Sequence, residues 1–305
     1  MKKISLYLLP MAILCLCAIS VTTIAQTEKP EKVLLNLTAK PDQSTKLRMM
    51  TEIYMEMSFE GDIPPELAAL NPMKMQVKSV TAFTQKTGPL DKQNRFEMEL
   101  IYDEVSSEIT MNGNPLPGGG DPAQLKGKKI KVTMDQKGGI FDVQSPPEIQ
   151  MSADAFKEML KSLYGALPTE PMAIGETATV PLSMALPLPI PGAGPLNLLG
   201  SSKIKLLAVE KEGTGRIAKL DSTVEARINT LVDFPSQSGP AKMKMDFSMT
   251  GGGPSSVNLD KATVKTNETT MKLEGRMTPA AESADAKLPT IALKGTVKTT
   301  VTGGN

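Results

Sequence analysis

Methionine is the residue type with the most chemistry to offer in this chain. It supplies 20 of 305 residues, and several fall two apart, as Met55/Met57, Met73/Met75 and Met243/Met245 do. Two thioethers at that spacing share one face of a β-strand, and soft sulfur suits Cu(I) in an exported compartment. The same spacing suits a flexible core filler that tolerates irregular volume or an apolar ligand. Copper sites commonly add His or Cys, whereas these methionines occupy strand positions with the pattern of burial. A core or pocket lining is therefore expected, and no metal is assigned.

Other reactive groupings are weaker. The chain has no His and no Trp, and its cysteines, Cys15 and Cys17, lie near the amino terminus. That removes imidazole bases and ligands, and the common catalytic triads; if the amino-terminal segment is cleaved, it removes thiolates as well. Asp103-Glu104, with Glu108 nearby, is the densest acidic group near a strand turn. Adjacent strand residues point to opposite faces, so those carboxylates converge only across a bulge. Ser202 and Lys205 match Ser-x-x-Lys, but in a strand an offset of three puts them on opposite faces. Gly118 to Gly120 and Gly251 to Gly253 lack the lysine and hydroxyl of a phosphate loop and read as turns or linkers. Lys126, Lys128, Lys129 and Lys131 have no interleaved aromatics, which favours a solvated sheet face or a protected edge over nucleic acid. No catalytic residue, enzyme activity or cofactor is expected.

The elements that carry these residues follow a two-residue period. Leu47, Met49, Thr51, Ile53, Met55, Met57 and Phe59 alternate with charged or polar neighbours, the mark of a half-buried strand. Similar alternation places strands at Val33 to Ala39, Met73 to Thr84, Arg95 to Tyr102, Val105 to Met111, Lys128 to Asp135 and Gly139 to Val143. Further strands are expected at Lys203 to Val209, Arg216 to Leu220, Thr223 to Leu231, Lys242 to Met249, Ser256 to Leu259, Thr263 to Leu273 and Thr290 to Val301. One helix is signalled over 151–166 by Ser152 as cap, the stripe Phe156, Met159, Leu160 and Leu163, and Gly165 as stop. The fold class is mainly β, an α+β chain with one central helix. Strands of this length twist, so long curved antiparallel sheets are expected, arranged as two related half-barrel units.

The organisation predicted is a signal peptide at 1–25, a first antiparallel β unit at 26–150, the helix, and a second β unit at 167–305. The second unit contains a proline-rich apolar loop at 178–202. Lys2 and Lys3, the apolar run Leu6 to Ile19 and Thr23-Ile24-Ala25 fit an export signal cleaved after Ala25. Cleavage would take Lys2 and Lys3 from 34 basic residues, leave all 33 acidic ones, and bring the net charge near −1. No polyelectrolyte partner is implied. Dense proline between Pro181 and Pro195 excludes a membrane helix there. Sparse strand aromatics argue against an outer-membrane barrel.

Several local motifs resemble an uncharacterised family of exported bacterial β-rich proteins, a domain of unknown function. They are the Lys40-Pro41-Asp42 turn, Lys128 to Val143, Leu167-Pro168-Thr169-Glu170-Pro171, Ile174-Gly175-Glu176-Thr177, and Val257-Asn258-Leu259-Asp260 leading into Val264 to Leu273. This chain departs from the family pattern at Ala178, where the family tends to carry Trp, and at Gln43, where it tends to carry Gly. The resemblance implies the β architecture and supplies no catalytic residues. The curved units are also similar at fold level to periplasmic lipid and lipoprotein carriers.

The expectation is an exported, periplasmic or secreted, non-enzymatic protein that holds a lipid or acyl chain in a curved Met-rich sheet. Its lining would be Met49, Ile53, Met55, Met57, Met73, Met75, Met98, Met243, Met245 and Phe247. The alternatives are a structural or interaction domain with a packed core, and, more distantly, a Cu(I) protein.

Overall fold

The computed structural model describes residues 32–61, 63, 68–69, 71–116, 122–147, 153–154, 156–157, 160, 167–186, 196–213, 215–236, 239–281 and 288–304. The predicted signal peptide and Gly118 to Gly120 lie outside them. The described residues form β1 (Ser44–Glu60), β2 (Met73–Thr87), β3 (Arg95–Met111), β4 (Asn114–Pro115), β5 (Lys129–Asp135) and β6 (Ile140–Gln144). They continue with β7 (Thr177–Leu186), β8 (Leu196–Glu212), β9 (Gly215–Ser236), β10 (Gly239–Asn258), β11 (Thr263–Pro279) and β12 (Thr290–Gly304). The fold is mainly β, as expected. Of the predicted helix, residues 153, 154, 156, 157 and 160 are described, and they are helical.

All twelve strands belong to one open antiparallel sheet in the order β6-β5-β3-β2-β1-β12-β11-β10-β9-β8-β7, with the short β4 beside β3. The expected two β units are thus one continuous sheet. Its seam is the pairing of β1 with β12, from Lys46 opposite Gly304 to Glu60 opposite Thr290. The last strand of the chain inserts beside the first because both present inward apolar residues on the same rungs, Met49 with Val301 and Ile53 with Val297.

Several predicted breaks are absent. The predicted strands 216–220 and 223–231 are parts of β9, which runs 22 residues. Likewise, 242–249 and 256–259 are parts of β10, so Gly251 to Gly253 lie inside a strand instead of forming a turn or linker. A Cβ on Gly251 would sit 2.1 Å from the Thr270 carbonyl oxygen and 2.8 Å from Met271 Sδ. Only glycine lets β11 approach that closely, and such positions are where sheets bend. The proline-rich stretch 178–202 is mostly not a loop, since β7 and β8 cover 177–186 and 196–212. β7 is an edge strand, where Pro181 can lack its N–H without breaking a ladder on both sides. By contrast, Val33 to Ala39 is no strand. It contributes one bridge, in which Val33 and Met172 exchange backbone hydrogen bonds of 2.9 and 2.8 Å.

One face of the sheet is buried along its length, and it forms three clusters. The central cluster includes Ile53, Val77, Val224, Met243, Phe247, Met271 and Val297. A second lies on β3, β5 and β6 around Met98, Ile130, Val132 and Met134, and the helical residues Phe156 and Leu160 close it. The third, on β7 to β10, contains Val33, Leu35, Ile204, Leu206, Leu220 and Val257. The second and third clusters are centred about seven strand spacings apart in the sheet order, roughly 34 Å if the sheet were flat. Yet Val33 belongs to the third and Ala39 to the second, and six residues of chain reach only about 20 Å. The sheet therefore curls, bringing its flanks together under this amino-terminal segment.

Candidate functional site

Directly opposed residues of antiparallel strands point to the same side, so the register lines inward side chains into rungs that cross the sheet. At one end of the inner face, a rung runs Met73, Met57, Leu293, Gly275, Phe247 across five strands. The next runs Met111, Met75, Met55, Gly295, Leu273, Met249. Below it come Ile109, Val77, Ile53, Val297, Met271 and Gly251. Glycine neighbours a large side chain on each of these rungs. At Gly275 the reason is direct: a Cβ there would lie 2.1 Å from Phe247 Cδ1.

Burial increases along this series. Met55, Met57, Met75, Leu273 and Leu293 are partly buried and pack against the central cluster, and Met73 is likewise half-buried. Ile53, Val77 and Met271 are each 1% exposed. Of the predicted lining residues, Ile53, Met55, Met57, Met75, Met243, Met245 and Phe247 share the central cluster, and Met73 faces Met57 across β1 and β2. Met49 is buried deeper along β1, opposite Val301 and Thr81. Met98 belongs to the separate cluster on β3, β5 and β6. The structure thus gathers eight of the ten around one end of the inner face.

Sequence reading missed what lies below the Ile53 rung. Ser107, Ser79, Thr51, Thr299 and Thr269 stand on five consecutive strands at one level, with Ser222 opposite Gly253 at a similar depth on β9. Ser255 follows one rung deeper, opposite Asn267. Thr51 and Thr299 are 1% exposed, Ser222 3% and Ser255 5%, and the hydroxyls of these four have no hydrogen-bond partner among the described residues. Thr269 donates to Asn267 Oδ1 at 3.1 Å. A buried hydroxyl without a partner costs about 1–3 kcal/mol. The sequence signal was Thr51 itself, a polar residue within an apolar alternation; its alignment with Thr299 required the register.

On the strands around this row, charge is confined to the other face. No inward position of β1, β2 or β12, nor of 267–277 on β11, 241–257 on β10 or 218–232 on β9, carries an ionisable side chain. On the outward face Lys294 pairs with Glu56 at 2.7 Å and holds that carboxyl below the usual range. Arg276 reaches Glu60 at 3.3 Å. A shallow outward depression of about 670 Å³ is lined by charges of both signs, including Arg227, Asp246, Glu274 and Lys294.

The other sequence candidates resolve into structure. A bulge at Ala82/Phe83 leaves Asp103 without a partner residue, which joins the predicted strands 95–102 and 105–111 into β3. Asp103 accepts a hydrogen bond from Thr84 Oγ1 at 2.7 Å, and Glu104 pairs with Arg48 at 3.4 Å; both carboxylates are exposed. Ser202 is opposite Val180 on an inward rung, whereas Lys205 is exposed. Lys129 and Lys131 pair with Glu99 and Glu97 at 3.0 and 2.9 Å on the neighbouring strand. Among the described residues no group of three or more His, Cys, Asp or Glu could hold a metal ion, and no helix is long and apolar enough to cross a membrane.

Compared with known proteins, the chain matches no family model and no curated protein. Among solved structures it aligns with Pseudomonas aeruginosa OccK5 (OpdH) over 87% of this chain and 99% of that one, at 7% identity and a TM-score of 0.24. A likeness at that level carries no argument about fold or function.

Proposed function

We propose that the protein is an exported, non-enzymatic binding protein that holds an apolar ligand, a lipid or acyl chain, against the inner face of its curled sheet. The observation that carries this reading is the half-buried methionine end of that face. Met55 opposes Met75, and Met57 opposes Met73, beside partly buried Leu273, Leu293, Ile63 and Leu288. Apolar side chains left half exposed on a concave, uncharged surface favour an apolar occupant, and unbranched thioethers adjust to its shape at low cost. Export rests on the amino-terminal sequence pattern.

Native mass spectrometry and solvent extraction of protein purified from its own host test the reading. Copurified lipid, and saturable binding of an uncharged apolar dye by the emptied protein, are expected. Repeated preparations with neither ligand nor dye binding would overturn it in favour of a structural domain with a solid core. The near-complete burial of Ile53, Val77, Met243 and Met271 is what favours that second reading.

A further inference from the structure

We infer that the ligand of the inner face is a neutral amphiphile, whose uncharged hydrogen-bonding group is received by the hydroxyl row at Thr51 and Thr299. This inference rests on the apolar-ligand reading and adds a headgroup class to it.

Two independent observations carry it. The first is a set of orphaned polar atoms: Thr51 Oγ1 and Thr299 Oγ1 are opposed across β1 and β12, Ser222 Oγ and Ser255 Oγ lie further along the same face, and none has a partner among the described residues. Each hydroxyl can donate once and accept twice, so together they offer both polarities to an alcohol, ester or carbonyl group. The second is the lack of any ionisable side chain at the inward positions of the strands around them. A carboxylate or ammonium brought there would lose its hydration and find no counter-ion, a penalty that neutral hydroxyls do not offset. The distances suit a modest chain. From Met55 to Thr51 is four residues of β1, about 13 Å at ~3.3 Å per residue. A ligand group at the hydroxyls therefore leaves its alkyl portion against Ile53, Val77, Met55 and Met75.

The test compares 1-decanol, decanoate and decylammonium, three headgroups on one chain length, and decane as the chain without a headgroup, as competitors of an uncharged apolar dye on the full chain at pH 8. Decanol is expected to displace the dye at an about tenfold lower concentration than either ion, the scale of one or two net hydrogen bonds without a desolvated charge. The double substitution Thr51→Val/Thr299→Val, which conserves shape, should remove most of decanol's advantage over decane, whereas Thr51→Ser/Thr299→Ser should keep it. Equal potency of the three headgroups, or an advantage over decane unchanged in the valine variant, would overturn the inference while leaving apolar binding intact. Absence of dye binding would overturn both. If the row only packs the core, the valine variant will be more stable in urea and its competition profile will match that of the wild type.

Discussion

At the scale of single residues, the chemistry that matters is the pairing of glycine with a large neighbour and the placement of charge. A Cβ added at Gly275 would meet Phe247 Cδ1 at 2.1 Å and the Asp246 carbonyl oxygen at 2.3 Å. Gly275→Ala should therefore destabilise the protein by roughly 1–3 kcal/mol, read as a lower urea midpoint. A change within the error of the fit would mean that the strands relax apart freely there. The pH dependence follows from residue types. With no His, no side chain has an ordinary pKa between about 5 and 8. Glu56, Glu99, Glu212 and Asp260 are all held below their usual values, in each case chiefly by a hydrogen bond, from Lys294, Lys129, Lys265 and the Arg216 backbone N–H respectively. A depressed carboxyl stabilises the fold above its unfolded pKa and loses that contribution as pH falls through the folded value. Thermal melts should be nearly flat from pH 5 to 8 and fall below about pH 4.5. At the other extreme, burial pushes Tyr102 up to about 12, so its contribution is present below about pH 10 and is lost on titrating from there through the folded value.

At the scale of elements, methionine acts as a property of whole strands. Met55→Leu/Met57→Leu keeps volume and polarity and should cost less than about 1.5 kcal/mol per site. If these side chains bind an apolar ligand by adapting to it, the same variant will bind the neutral dye more weakly or more selectively while its urea midpoint stays nearly constant. A collapse of the fold would instead identify the pair as a rigid part of the core. The basic strand β5 behaves differently. Lys129 and Lys131 form exposed pairs with acids of β3, and such pairs are worth about 0–1 kcal/mol. Lys129→Ala/Lys131→Ala should be nearly silent in stability, as measured by denaturant titration.

At the scale of the molecule, the decisive feature is the insertion of β12 between β1 and β11. Strands from the two ends of the chain share their ladders, so neither half can complete its sheet alone. Urea unfolding followed by tyrosine fluorescence and by far-ultraviolet circular dichroism should give one coincident transition. Two separated transitions would mean that the halves on either side of the seam fold independently. Removing residues 290–304 would expose the inward rungs of β1 and β11 together and should abolish folding, whereas a change confined to the edge strand β6 should not.

The sequence alone determined the strand faces. The two-residue period is a local consequence of strand geometry, so Met49, Ile53, Met55 and Met57 could be placed on one side of β1 without a partner strand. Composition likewise removed imidazole chemistry, since an absent residue type needs no structure to exclude it. Local punctuation was less informative, because Gly251 to Gly253 and Pro181 have meanings that depend on neighbours: close approach of β11 in one case, an edge position in the other. Register and strand order are non-local quantities, fixed by the simultaneous burial of rungs contributed from distant parts of the chain. Only the tertiary structure could therefore merge the expected two units into one curled sheet, separate Met98 from the methionines of the central cluster, and align Thr51 with Thr299 in an uncharged row of buried hydroxyls.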